Sequence, residues 1–223
     1  MNAFTQALSV ARKDLAIEFR TKESLNSAGA FAVTILLLFS FAFDLSAEET
    51  RDMSGGLLWL CFSFAGALVF NRGFARELPN ECLDALLASP LPAGSLVVGK
   101  AITSVVLLLI VEAVSFFVFG IFYNVRWLQQ PFTLLAVCML ATWGICIIGS
   151  VFGALTVNLR LRELMLPVVI YPLLIPLLIA AIELTNLILT NQPTSYLWLR
   201  VLLVFDIIFT SLAIALAEII LVN

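Results

Sequence analysis

Four carboxylic acids, Glu112, Glu183, Asp206 and Glu218, lie inside stretches of sequence that are otherwise almost wholly apolar. A charge at the centre of a bilayer costs on the order of 3 kcal/mol on insertion scales. Each acid is therefore expected to be neutral, turned inward or close to the end of its run. Glu112 lies deepest, and no basic residue falls in the core of any run to pair with it. Two readings stay open: a neutral, hydrogen-bonded carboxyl group, or a polar patch at a subunit interface or along a substrate path. Glu112 and Asp206 are the intramembrane candidates.

Other residues limit the chemistry. The run Gly94-Ser-Leu-Val-Val-Gly-Lys-Ala101 nearly spells a phosphate-binding P-loop. However, Ala101 has no hydroxyl to hold Mg²⁺, no strand precedes the loop, and an apolar helix follows it. The chain is not expected to hydrolyse ATP itself, and Lys100 is expected to snorkel toward water and phosphate headgroups at the membrane face. Histidine is absent, which removes His-based acid–base catalysis, His metal ligation and the commonest axial haem ligand together. Cys61, Cys82, Cys138 and Cys146 show no C-x-x-C spacing and read as buried, inert thiols. No nucleophile, metal-ligand set or acid–base pair clusters at a membrane face, so the residues name no catalytic site and no metal site.

The elements that position these residues follow from hydropathy. With 62% hydrophobic residues, 12% charged and a mean hydropathy of +1.09, the chain falls outside the range of soluble domains. Six apolar runs, Asn26 to Phe43, Gly55 to Phe70, Ala101 to Tyr123, Pro131 to Thr156, Leu164 to Asn186 and Leu199 to Val222, can each cross a bilayer as a helix. The fold class is thus an all-α integral membrane bundle of six transmembrane helices. The connections are too short for a separate soluble domain, so residues 26–223 form one membrane domain. A net charge of −3 argues against nucleic acid as a partner. The first run is expected to be retained rather than cleaved as a signal peptide, because Asp14, Glu18 and Glu23 precede it.

Residues 1–25 form a separate amphipathic segment. Phe4, Leu8, Ala11, Leu15 and Phe19 recur at helical spacing, while Arg12, Lys13, Arg20 and Lys22 lie largely elsewhere. Such a helix rests on the inner membrane surface or packs on a partner's soluble domain. Basic residues fall nine against three on alternate sides: Arg12, Lys13, Arg20, Lys22, Arg72, Arg76, Lys100, Arg160 and Arg162 against Arg51, Arg126 and Arg200. This places both termini and the connection 71–100 in the cytoplasm.

Within that connection a short helix is expected. Pro79 suits a first turn, Asn80 can cap, Glu81 and Asp84 favour the positive end of the helix dipole, and Ser89-Pro90 ends the run. Leu83, Leu86 and Leu87 share one face, which packs on the chain's own helix ends or enters a socket on a soluble partner. Elsewhere, Gly149 and Gly153 form a G-x-x-x-G pattern that allows close helix approach. Pro167, Pro172 and Pro176 are expected to kink the fifth span. The segment Glu183 to Gln192 is expected either to fold back as short helices or to form a loop. Trp127 and Trp198 fall near span ends, as interfacial anchors do.

The stretch from Gly56 to Leu68, then Asn71-Arg72, Phe74, Glu77, Leu83 to Leu87, Ser89-Pro90 and Gly99-Lys100, resembles the CcmB family. A second block, Gly153 to Arg160 followed by Leu166 to Pro176, resembles that family's proline-rich fifth span. Asn80-Glu81-Cys82 departs from the glycine that members often carry before the leucine-rich turn. The resemblance implies an ABC-2-type permease in the bacterial inner membrane, acting in cytochrome c biogenesis. It implies pairing with a CcmA-type ATPase that binds ATP and Mg²⁺, as two permeases with two ATPases. CcmC, CcmD and the haem chaperone CcmE are further implied partners, and haem is the implied substrate. The connection 71–100 would then supply the coupling helix, with Glu77, Glu81, Leu83, Asp84, Leu86, Leu87 and Pro90 at the ATPase interface. Rival readings are an ABC-2 permease for lipid, polysaccharide or drug, and an ion-coupled secondary transporter. The latter draws on Glu112 and the broken fifth helix.

Overall fold

A computed structural model describes residues 2–42, 54–77, 91–123, 130–156, 162–193 and 195–222. Seven helices and no strand occur among the described residues: α1 (Ala3–Thr21), α2 (Glu23–Ala42), α3 (Ser54–Ala75), α4 (Ala93–Phe122), α5 (Pro131–Thr156), α6 (Arg162–Leu189) and α7 (Tyr196–Val222). Helices α2 to α7 each contain a stretch long and apolar enough to cross a membrane, one for each run expected from hydropathy.

Helix α5 is the centre of the bundle and packs against α3, α4, α6 and α7. Its small residues make this possible. Gly149 faces the ring of Phe70 so closely that a Cβ there would lie 2.6 Å from it, and Gly153 faces Phe74 at 3.3 Å. The G-x-x-x-G pattern thus receives two phenylalanines of α3.

Alternation of the helices gives the bundle two ends. At the end opposite α1, neutral polar groups close the helix termini. The free backbone N–H of Gly55, in the first turn of α3, donates to Asn186 Oδ1 of α6 at 2.9 Å. Trp59 donates from its indole to Thr185 Oγ1 at 2.8 Å, and Tyr123 donates to the Leu36 carbonyl of α2 at 3.1 Å.

Two expectations change in three dimensions. Helix α4 begins at Ala93, eight residues before the apolar run starts at Ala101, so Gly94 to Lys100 form its first turns. The resemblance to a P-loop is therefore incidental, because a helix cannot wrap a phosphate as that loop does. Helix α6 continues through Pro167, Pro172 and Pro176, as membrane helices that contain proline can. The segment Glu183 to Gln192 neither folds back nor forms a long loop. It continues α6 to Leu189 and closes in a tight turn, with Asn191 at φ 56° and the Gln192 N–H bonded to the Leu187 carbonyl at 2.8 Å. Trp198 is half-buried near the start of α7, and Trp127 lies outside the described residues.

Candidate functional site

The site is at the α1 end of the bundle. Helix α1 turns Ala7, Val10 and Ala11 against α4, all nearly fully buried. Close approach depends on Gly99, where a Cβ would stand 2.7 Å from the Ala7 carbonyl oxygen and 2.8 Å from Val10. The same contact is tied by Ser95, which donates to the Ala3 carbonyl at 3.0 Å. The apolar face expected on α1 is therefore divided. Ala11 and Leu15 pack inward, whereas Phe4, Leu8 and Phe19 remain exposed.

One turn further along, the docking face of α1 becomes acidic, and Asp14 and Glu18 follow Ala7 and Ala11 on it. Lys22 adopts a left-handed backbone (φ 55°) that breaks α1 from α2. Glu18, fully buried, then reaches across the break. Its Oε1 accepts the backbone N–H groups of Ser24 and Leu25 at 2.8 and 2.9 Å, which caps the free amino end of α2. Its other oxygen pairs with Arg76, at the end of α3. Arg76 also donates to Ser24 Oγ at 3.1 Å.

Lys100 of α4 forms the second half of the hub. Its ammonium lies 2.7 Å from Glu77 Oε1, 2.9 Å from Asp14 Oδ2 and 2.8 Å from the Gly73 carbonyl oxygen, so all three of its N–H donors have partners. Lys13 approaches the same Glu77 oxygen at 2.8 Å from the outer side. The expectation that Lys100 snorkels to water is therefore incorrect. At 4% exposed it is buried, because two carboxylates and a carbonyl replace the water it would otherwise seek.

The electrostatics match this geometry. Burial alone would raise the Glu77 carboxyl, but the charge and hydrogen bond of Lys100, with the hydrogen bond of Lys13, hold it below the usual carboxylate range. Glu18 is likewise lowered against burial, by the Leu25 N–H and then by Arg76. Lys13 is raised despite burial, chiefly by its hydrogen bond to Glu77. A cavity of about 310 Å³ lies beside these groups, lined by Glu18, Ser24, Arg76, Glu77, Lys100 and Thr103 among others. The hub is a closed set of ion pairs that joins α1, α2, the end of α3 and the start of α4.

Of the residues expected at a partner interface, Glu77 is the one described. Its carboxylate turns inward to the two lysines. Glu81, Leu83, Asp84, Leu86, Leu87 and Pro90 lie outside the described residues. The hub nevertheless brackets their segment, with Glu77 just before it and Lys100 in the second turn of the helix after it. Asp14, Glu18, Arg76 and Gly99 were visible in the sequence but not marked as residues of a site. The available signal was the spacing 7, 11, 14, 18, which puts two acids in line with two alanines on one helical face.

The intramembrane acids separate into two pairs. Glu112 and Asp206 are buried, and Glu183 and Glu218 are exposed. Glu112 accepts a hydrogen bond from the Thr142 hydroxyl of α5. The reading of Cys61, Cys138 and Cys146 as buried thiols agrees with the structure, and Cys82 is not described.

Comparison with known proteins is consistent along the chain. A protein described as Heme exporter protein B from Paracoccus denitrificans is 28% identical over 77% of this chain and 78% of its own length. One of the same description from Rhodobacter capsulatus is 29% identical over 78% and 79%, and one from Pseudomonas aeruginosa 26% over 96% and 95%. The family described as CcmB protein matches residues 5–221, a span that takes in the docking face of α1, the hub and all six membrane-length helices. The chain belongs to the CcmB family.

Proposed function

We propose that this chain is the permease subunit of an ABC transporter for cytochrome c biogenesis, moved by ATP hydrolysis on a separate CcmA-type subunit. The observation that carries the reading is the Glu77–Lys100–Asp14 cluster, which fastens both flanks of the 78–90 segment to α1 and α4. A segment held in this way transmits a push to the bundle instead of absorbing it. Glu77 serves here as an anchor of the coupling segment rather than as a contact to the ATPase. Glu81, Leu83, Asp84, Leu86, Leu87 and Pro90 supply the contact.

In this reading the α1 end is cytoplasmic, as the basic residues described there (Arg12, Lys13, Arg20, Lys22, Arg72, Arg76 and Lys100) support, with Arg200 near the other end. The exposed Phe4, Leu8 and Phe19 lie against the inner leaflet. Two permeases pair with two ATPases, which carry ATP and Mg²⁺. CcmC, CcmD and the haem chaperone CcmE complete the assembly, whose output is haem export or release of the haem-loaded chaperone. With no histidine in the chain, a haem in transit would need other contacts.

Changing Leu83 and Leu87 together to Asp tests the coupling role. The ATPase should no longer copurify, and maturation of cytochromes c should stop while the chain still reaches the membrane. Copurification with full ATP turnover would overturn the reading.

A further inference from the structure

The coupling reading leaves the two buried acids unused, and they are not equivalent. Glu112 has donors: the Thr142 hydroxyl and the Cys138 thiol both face it. Asp206 of α7 is 7% exposed, and neither of its oxygens has a hydrogen-bond partner among the described residues. It rests against Gly144 of α5, where an added Cβ would stand 2.7 Å from Oδ1. Leu202, Phe205 and Ala213 line the same buried side of α7.

Among the described side chains, the helices packed on α7 bring no available counter-charge. Their described titratable and charged groups are Cys138 and Cys146 on α5, Glu112 and Lys100 on α4, and Tyr171 and Glu183 on α6. On α7 itself they are Tyr196, Arg200 and Glu218. Lys100 is fully engaged in the hub, and Arg200 is exposed about 9 Å away along the helix axis, at 1.5 Å per residue. None of these forms an ion pair or hydrogen bond with Asp206 among the described residues. An ionised carboxylate held in an apolar seam without donors is costly by several kcal/mol. The closed seam therefore accommodates the acid as COOH, whereas water entering between α5 and α7 would accommodate the anion.

We propose that Asp206 is a proton-exchange site of the bundle. When the α5–α7 seam opens to water, the carboxyl group passes its proton to a water molecule and becomes a carboxylate. When the seam closes, it takes one proton back from hydronium. One proton is thus released and recovered for each opening, independently of which subunit drives the motion.

Infrared spectroscopy of the full-length chain in lipid nanodiscs at neutral pH tests this. Among the described residues Asp206 is the one aspartate in a membrane-length helix, so labelling aspartate carboxyl carbons with carbon-13, together with Asp206→Asn, assigns its signal. The expected result is a protonated-carboxyl band that shifts with the label, shifts again in heavy water as the proton exchanges, and is lost in Asp206→Asn. Absence of a label-sensitive protonated band would mean that the acid is ionised in the closed seam, and would overturn the proposal. A band that never shifts in heavy water would mark a sealed structural acid and overturn it equally.

Discussion

The two ends of this bundle are closed by different physics. At the α1 end, Lys100, Lys13 and Arg76 are set among Asp14, Glu18 and Glu77, beside a cavity. At the other end the ties are neutral: Asn186 to the Gly55 N–H, Trp59 to Thr185, and Tyr123 to a carbonyl of α2. Neutral ties are worth about 1 kcal/mol each and behave as fixed caps. Buried ion pairs contribute little net stability when whole but are costly to break from one side. The α1 end, where the proposed coupling would act, is thus held all-or-none, and the far end is held by several small terms.

This difference can be broken most sharply at Lys100. Replacing it with Met removes the buried cation between Asp14 and Glu77 and leaves them only the partly exposed Lys13, at a cost of about 3–5 kcal/mol. Hydrogen exchange should then show α1 and the start of α4 opening while α3 near Trp59 stays protected. Trp59→Phe should cost about 1–3 kcal/mol, since the Thr185 hydroxyl loses its donor, and should lower the melting temperature without freeing α1. Asn186→Ala removes the acceptor for the Gly55 N–H and should cost about 1 kcal/mol, seen as fraying of the first turn of α3.

The gentlest test is acidification. Glu77 and Glu18 have lowered carboxyls in the folded chain, so their contribution is complete above the ordinary Glu value of about 4.3 and disappears as pH falls through their depressed values. Protease sensitivity should therefore rise at the α1 end alone as pH drops below about 4, with the neutral end unaffected.

The six spans were legible because mean hydropathy is a local property, and a run of about twenty apolar residues has one stable geometry in lipid. What faces what was not legible. The stretch Gly99-Lys100 looked like a loop ending in a surface cation, because nothing local shows that α1 will lie across it and supply the Asp14 carboxylate. The apolar periodicity of α1 was visible, but it merged a docking side with an exposed side, since Ala11 and Phe4 score alike as apolar and only packing separates them. The prolines of α6 were legible as points of lost backbone hydrogen bonding, and the helix continues through all three. Glu112 and Asp206 were marked as exceptional from composition alone, but which of them has donors depended on Thr142 and Cys138, thirty and twenty-six residues away from Glu112 in sequence.

The central claim is that the hub makes α1 and the 78–90 segment move as one body when the ATPase acts. Spin labels at Arg12→Cys, Ala85→Cys and Phe132→Cys, introduced in pairs with Cys82 replaced by Ser, measure this directly in the assembled transporter before and after ATP. The account predicts that the distance from 85 to 132 changes while the distance from 12 to 85 does not. A change from 12 to 85 as large as that from 85 to 132 would contradict it.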